Sequence, residues 1–173
     1  MRVGRQIYLI ALGSNRRSRS GSPRTLIRCF GSLGETAWLT QITEAPKARV
    51  VAMSRIIETP PLGHGLRRYA NAVALIETDL DPPALLAQLK AIERAHGRRP
   101  GRRWGDRVLD LDIIGWSGGI WASPGLAIPH PAFRTRRFVL APLVEIAPDW
   151  RDPVTHLSAR QLLARLDRRR PRA

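Results

Sequence analysis

Arg103-Trp104-Gly105-Asp106-Arg107-Val108-Leu109-Asp110-Leu111-Asp112-Ile113-Ile114 is the stretch around which the rest of this chain organises. From Val108 onward apolar and acidic residues alternate, the period of a β-strand whose two faces differ. Asp110 and Asp112 then share one face, while Leu109, Leu111 and Ile113 pack on a core from the other. Two carboxylates held side by side repel each other unless one takes a proton or a cation sits between them. Hard oxygen ligands favour Mg²⁺, which takes one or two protein carboxylates and completes its shell with water and phosphate oxygens. Arg98, Arg99, Arg102, Arg103 and Arg107 lie just upstream and suit the same kind of ligand. The alternative, a solvated acidic face on an edge strand, conflicts with apolar flanks on both sides. A magnesium–polyphosphate site is the economical reading.

The remaining elements follow in both directions. Residues 8–12 read as a buried strand closed by the turn Gly13-Ser14-Asn15. Ser22-Pro23 is an N-cap and first-turn pair opening a helix through Leu26, Ile27 and Phe30 toward Trp38. Residues 50–58 form a second strand, stopped by Thr59-Pro60-Pro61-Leu62-Gly63, and residues 69–78 a third, antiparallel to it. Asp81-Pro82-Pro83 caps a helix with Leu85, Leu86, Leu89 and Ile92 at helical spacing, ended by His96-Gly97. Strand, helix, strand, strand, helix, strand predicts an α+β fold: a ferredoxin-like βαββαβ core with a mainly antiparallel sheet and helices packed on one face. Beyond it the sequence predicts a turn at Gly118-Gly119, a short helix over 133–143 and an amphipathic helix over 158–166. A basic tail at about 168–173 is expected to be disordered. No repeat or change of composition divides residues 1–173, which are read as a single domain.

Composition narrows the class. A 43% hydrophobic fraction is ordinary for a globular chain. Cys29 is the one cysteine, which excludes an internal disulfide and a thiolate zinc site and fits a reducing compartment. No apolar run approaches the ~20 residues of a membrane span, and the run 7–12 is too short for a signal segment, so a soluble cytoplasmic protein is expected. The net charge of +15 points to polyanions, yet among 29 basic residues only Lys47 and Lys90 are lysine. Such a skew reflects genomic base composition as much as binding, so a nucleic-acid partner is discounted.

A second group of residues concerns a flat polar ligand. The prolines after Thr59 fix a backbone whose carbonyls are not all used in a sheet. Asn71 offers donors and an acceptor to a heterocycle, and Tyr69 projects from the same strand face. Alone, the same residues read more readily as a rigid hairpin with a structural asparagine. Trp104 and Phe138 suit either a core or a stacking surface, and His130, between Pro129 and Pro131, either a phosphate contact or a local cap. Gly13-Ser14-Asn15 lacks the second glycine and the lysine–hydroxyl pair of a Walker A loop.

Taken together the chain resembles the 6-hydroxymethyl-7,8-dihydropterin pyrophosphokinase family from residue 8 to about 152. The resemblance is carried by Ala11-Leu12-Gly13-Ser14-Asn15, Thr59-Pro60-Pro61-Leu62-Gly63, Tyr69-Ala70-Asn71, Arg103-Trp104-Gly105, Arg107 with Leu109-Asp110-Leu111-Asp112, Ile128-Pro129-His130, and Arg136 with Phe138. It implies a ferredoxin-like α/β fold and transfer of pyrophosphate from ATP to the hydroxymethyl group of a reduced pterin, giving AMP and the pterin diphosphate of folate synthesis. Asp110 and Asp112 would bind two Mg²⁺ ions bridging the ATP phosphates. The pterin would lie between Tyr69 and Phe138, with Thr59, Pro60, Leu62 and Asn71 reading its polar edge. Arg98 or Arg99, with Arg103, Arg107 and His130, would contact the phosphates, and Ile113 the nucleotide. Arg136 would lie near the transferred group, and Trp104 on a loop closing over the substrates. Expected partners are ATP and the pterin, with no nucleic acid and no membrane; a monomer is compatible with the sequence, which does not itself report the oligomeric state. The sequence departs from the family at Asp106, where relatives carry proline, and at Pro131 after His130. Another two-magnesium nucleotide-dependent transferase would share the aspartate pair but leave residues 59–71 unexplained. An RNA-binding ferredoxin-like module would need aromatics on the central strands, where this chain has Asp110 and Asp112.

Overall fold

The computed structural model describes residues 4–18, 21–32, 48–60, 67–97 and 108–168. In chain order these form β1 (Gln6–Ser14), α1 (Pro23–Ser32), β2 (Arg49–Met53), β3 (Ile57–Thr59), β4 (Tyr69–Thr78), α2 (Pro82–Ala95), β5 (Asp110–Trp116), β6 (Trp121–Ser123) and β7 (Leu126–Ile128). A 3₁₀ turn (Phe133–Thr135), α3 (Arg137–Ile146) and α4 (Ala159–Arg168) follow. The main sheet has the order β2-β4-β1-β5, with β3 also on β4 and every pairing antiparallel. That is the expected ferredoxin-like topology. The extension of the first helix toward Trp38 and the tail at 169–173 lie outside the described residues.

Strand periodicity builds two cores. Tyr8, Ile10 and Leu12 of β1, Ala72, Ala74 and Ile76 of β4, and Leu111 and Ile113 of β5 face one way and pack with Ile27 and Phe30 of α1 and Leu85, Leu89 and Ile92 of α2. The helices of the βαββαβ core thus lie on one face, as its pattern predicts. Leu9, Val73 and Ile114 point the other way into a second core with Phe133, Val139, Leu140, Leu143, Ala159 and Leu162. The C-terminal helices, outside the core motif, therefore cover part of the opposite face. Helix starts follow the caps read from sequence. The Asp81 side chain accepts from Ala84 N at 2.9 Å, and the Ser22 hydroxyl from Thr25 N at 3.2 Å. At α4, Ser158 Oγ accepts from Gln161 N while Gln161 Oε1 accepts from Ser158 N, a reciprocal capping box. Loss of the α2 cap in Asp81→Ala lowers the melting temperature by about 2–4 °C in a thermal unfolding experiment.

Three departures from the sequence reading matter. The second strand is not continuous over 50–58. It breaks between β2 and β3, where Ser54 N donates to Val73 O and Ser54 Oγ accepts from Val73 N, so a side chain stands in for ladder backbone. A β6–β7 hairpin turning at Gly125 (φ 79°) occupies a region read only as a glycine-rich turn. And β5, whose apolar flanks argued against an edge position, is the last strand of the sheet among the described residues. Its flanks are apolar because both faces are covered, and α2 side chains reach over its outer edge. The β1–β5 register also skips Ile114, a bulge opposite Leu9 and Ile10. An extra residue reverses strand parity. Asp110 and Asp112 therefore face the second side, while Trp116, also even-numbered, returns to the first and stacks on Tyr8 at 6.3 Å.

Candidate active site

Where α3 stops covering the second face, the sheet carries mainly small and polar residues in place of Leu9 and Ile114. In register across β4, β1 and β5 run Asn71, Gly13 and Asp110, and beside them Val73, Ala11 and Asp112. Strands lie about 4.8 Å apart, so Asn71 and Asp110 stand roughly 10 Å from each other. Gly13 has no side chain to fill the interval. A Cβ there would lie 3.7 Å from Asn71 Oδ1 and 3.9 Å from the Asp110 Cβ, in contact with both. The result is a cavity of about 320 Å³ with Asn71, Tyr69, Thr59 and Pro60 at one end, Asp110, Asp112 and His130 at the other, and Arg136 and Phe138 along its wall.

At the first end, Asn71 is 4% exposed. Its Nδ2 donates to Thr59 Oγ1 at 2.9 Å and, more weakly, to the Tyr69 carbonyl at 3.4 Å, which orients Oδ1 over Gly13. Thr59 is placed for this bond by β3, which pairs Thr59 with Tyr69 and Ile57 with Asn71. A fixed, buried acceptor beside an aromatic ring suits the N–H edge of a planar heterocycle. At the far end, Asp112 Oδ2 lies 4.0 Å from His130 Nε2 and its Oδ1 3.9 Å from Lys90 Nζ. The bulge helps to hold the histidine: His130 N donates to the carbonyl of Ile114, the residue the register skips. His130 Nδ1 accepts from Ala132 N at 3.1 Å, so in the neutral ring the proton is on Nε2, toward Asp112. Burial pushes the His130 pKa down. The charge of Asp112 raises it, that of Arg136 lowers it, and the net value lies below that of an ordinary histidine. The ring is thus a neutral N–H donor at pH 7.

Arg136 and Phe138 reach the cavity from the start of α3, with the guanidinium carbon 5.9 Å from the phenyl centroid. The turn preceding them is tied down by Arg134, whose Nε and Nη2 donate to both oxygens of Asp152 at 2.7 and 2.6 Å. Asp152 is fully buried and also accepts from the Thr155 hydroxyl and the Val154 and Thr155 amides. Burial alone would push its carboxyl up. The hydrogen bonds from Arg134, Thr155 and Val154, with the Arg134 charge, more than offset that and hold it below the usual carboxylate range.

Thr59, Pro60, Tyr69, Asn71, Asp110, Asp112, His130, Arg136 and Phe138 are thus brought to one cavity. Ile113 is not: strand parity turns it into the α1–α2 core, where it is 3% exposed, so its side chain faces away from any nucleotide here. Leu62, Arg98, Arg99, Arg103, Trp104 and Arg107 lie outside the described residues. Among the described residues no group of three or more His, Cys, Asp or Glu forms a metal cage. Two carboxylates beside a cavity still match Mg²⁺, which draws the rest of its shell from water and phosphate. Sequence reasoning passed over Arg134 and Asp152, which look like ordinary surface charges until the fold brings them together. Ser14, read as part of a turn, instead ends β1 fully buried, and its hydroxyl donates to the Val108 carbonyl and ties the end of β1 to the entry of β5.

A family model described as 7,8-dihydro-6-hydroxymethylpterin-pyrophosphokinase matches residues 9–148. Among curated relatives, the 2-amino-4-hydroxy-6-hydroxymethyldihydropteridine pyrophosphokinase of Pseudomonas aeruginosa is 39% identical over 149 residues, which cover 86% of this chain and 85% of that protein. The protein of the same name from Methylorubrum extorquens is 41% identical over 127 residues, covering 73% of this chain and 79% of its own length. A solved Plasmodium falciparum HPPK-DHPS superposes with a TM-score of 0.66 at 14% identity, over 93% of this chain and 45% of that one. The chain therefore spans under half the length of that solved structure, and the likeness there is one of fold.

Proposed function

The chain belongs to the 7,8-dihydro-6-hydroxymethylpterin-pyrophosphokinase family, and from that premise we propose that it transfers the pyrophosphoryl group of ATP to the hydroxyl of 6-hydroxymethyl-7,8-dihydropterin, forming AMP and the pterin diphosphate used in folate synthesis. The observation that supports this most directly is the cross-strand row Asn71–Gly13–Asp110, which puts a heterocycle-reading amide and a carboxylate pair at opposite ends of one trough.

In this reading Tyr69 and Phe138 sandwich the pterin, and Asn71 Oδ1 accepts from its N–H edge. The hydroxyl oxygen then points along the trough toward Asp110 and Asp112. It bonds to the β-phosphorus as the bond from that phosphorus to the α–β bridging oxygen breaks. The hydroxyl proton passes to water, and AMP leaves with the bridging oxygen. Asp110 and Asp112 would hold Mg²⁺, which when bound neutralises and orients the phosphate oxygens. The Nε2–H of His130 donates to a phosphate oxygen, and the Arg136 guanidinium adds positive charge beside the group in transfer. The family resemblance would give Arg107, with Arg98 or Arg99 and Arg103, to the phosphates, and Trp104 to the exclusion of water, a competing acceptor. Residues 1–173 act as one pyrophosphokinase unit in the cytoplasm. No helix among the described residues is long and apolar enough to cross a membrane.

The test is AMP release from ATP and Mg²⁺ with and without the hydroxymethyl pterin. Pterin-dependent AMP with matching pterin diphosphate is expected, and its absence from folded protein would sink the assignment. Selectivity has its own check. Asn71→Ala leaves the heterocycle's N–H edge without its acceptor, so the pterin KM rises about 10–100-fold while the KM for ATP stays within about twofold. Steady-state kinetics with each substrate varied in turn measure both.

A further inference from the structure

The backbone of Leu111, between the two aspartates, has partners that the sheet does not supply. Asp110 and Asp112 pair in register with Gly13 and Ala11 of β1, while among the described residues no strand lies on the other side of β5. The N–H of Leu111 instead donates to Glu93 Oε1 at 2.7 Å, and its carbonyl accepts from Lys90 Nζ at 3.1 Å. Lys90 Nζ also donates to Glu93 Oε1 at 2.8 Å, and the Glu93 side chain is fully buried. Two side chains one turn apart on α2 thus serve the donor and the acceptor that a neighbouring strand would serve. Lys90 is one of only two lysines among the 29 basic residues of the chain. An ammonium presents three donors around one point, here facing Glu93 Oε1, the Leu111 carbonyl and, at 3.9 Å, Asp112 Oδ1. A planar guanidinium does not match that arrangement.

We infer that Glu93, anchored by Lys90, is a positioning residue for the proposed metal site: it clamps the Leu111 backbone and so sets the directions in which Asp110 and Asp112 project. Strand pitch at Leu111 decides where its two neighbours point, because successive side chains on a pleated strand are fixed by the backbone between them. Groups that orient metal ligands without touching the metal commonly change its affinity about 10–100-fold when removed. This inference rests on the reading of Asp110 and Asp112 as metal ligands.

Geometry and charge make opposite predictions for two conservative changes. Glu93→Gln keeps an oxygen within reach of the Leu111 N–H but loses the charge. Glu93→Asp keeps the charge but withdraws it by about 1.5 Å, one methylene, out of hydrogen-bond range. The experiment measures, in the full chain, binding of Mn²⁺ with α,β-methylene ATP, which cannot be cleaved at the reacting bridge, and hydrogen exchange of the Leu111 amide without metal. A positioning role predicts that Glu93→Asp weakens Mn²⁺ binding about 10-fold or more and speeds Leu111 exchange about 10-fold, while Glu93→Gln stays within about threefold of wild type in both. The reverse order, or both variants within about twofold of wild type, overturns the clamp. Glu93→Asp, which keeps a carboxylate on the same turn of α2 as Lys90, is the variant to rely on if a larger truncation fails to fold. Asp112→Ala is run beside them. If it too binds Mn²⁺ like wild type, the metal-site reading falls and takes the inference with it. If it alone loses binding, only the clamp is wrong.

Discussion

Asp112→Ala lowers pterin-dependent AMP formation at saturating substrates by at least about a thousandfold, equivalent to about 4 kcal/mol of lost transition-state stabilisation. The size follows from what the residue faces. Asp112 is only 30% exposed and stands between the His130 ring and the Lys90 ammonium at the polar end of the cavity. Removing it leaves two donors converging where an anion stood, and on the proposed reading the phosphate groups would lose both an ordered cation and the spacing it imposes. Stability should change little, because Lys90 keeps its hydrogen bonds to Glu93 Oε1 and the Leu111 carbonyl when Asp112 is removed. A melting temperature near that of wild type together with the rate loss is the expected pattern. A variant that turns over at the wild-type rate would show that the carboxylate pair serves some other end.

Arg134→Ala is expected to cost about 3 kcal/mol, a fall of roughly 6–12 °C in melting temperature. The cost comes less from the missing arginine than from the partner it leaves behind. Arg134 retains 26% exposure, while Asp152 has none and cannot turn to water. The pH dependence carries a definite sign. In the wild-type protein the Asp152 pKa lies below its ordinary 3.8, so its contribution is complete above that value and is lost as pH falls through the lower folded value. In Arg134→Ala burial remains and the main opposing influence is gone, so the folded pKa moves up and the carboxyl destabilises the fold when ionised. The gap in melting temperature between the two proteins is therefore widest near neutrality and closes as pH falls, first through the raised folded pKa of the variant and then through the lowered one of wild type. A gap that stays constant across that range would show that the ion pair is not its origin. Arg136 and Phe138 follow the same turn, so a rise in pterin KM should accompany the loss of stability.

Much of the site was legible in sequence because it rests on a period of two. The alternation Leu109-Asp110-Leu111-Asp112-Ile113 assigns both aspartates to one face, and Tyr69 and Asn71 share a face for the same reason. Caps were legible too, since Asp81 and Ser22 act on amides three residues away. What escaped is whatever depends on partners far along the chain. Neither the bulge at Ile114 nor the break at Ser54 leaves a local mark, because each is set by how one strand registers on another. The strands of the β6–β7 hairpin are three residues long, too short to show a period. Lys90 and Glu93 look like a surface pair on a helix, and only the packing of α2 against β5 reveals that the glutamate is buried. Ile113 shows the limit of resemblance without parity: its place in the motif suggested a nucleotide contact, and its strand face turned the side chain into the core.

Every open sheet has two margins where unused backbone groups could recruit a strand from another molecule. This one closes them by unlike means. At β2 the margin is interrupted by a bulge between Val50 and Ala52 and headed by Arg49, half exposed and paired with Glu77. At β5 the Leu111 amide and carbonyl are occupied by Glu93 and Lys90, and the Ile114 carbonyl by His130. An incoming strand would have to displace a buried carboxylate to dock there. The contacts that hold the Leu111 backbone between the two aspartates therefore also occupy the groups through which this margin would accept a strand from another molecule.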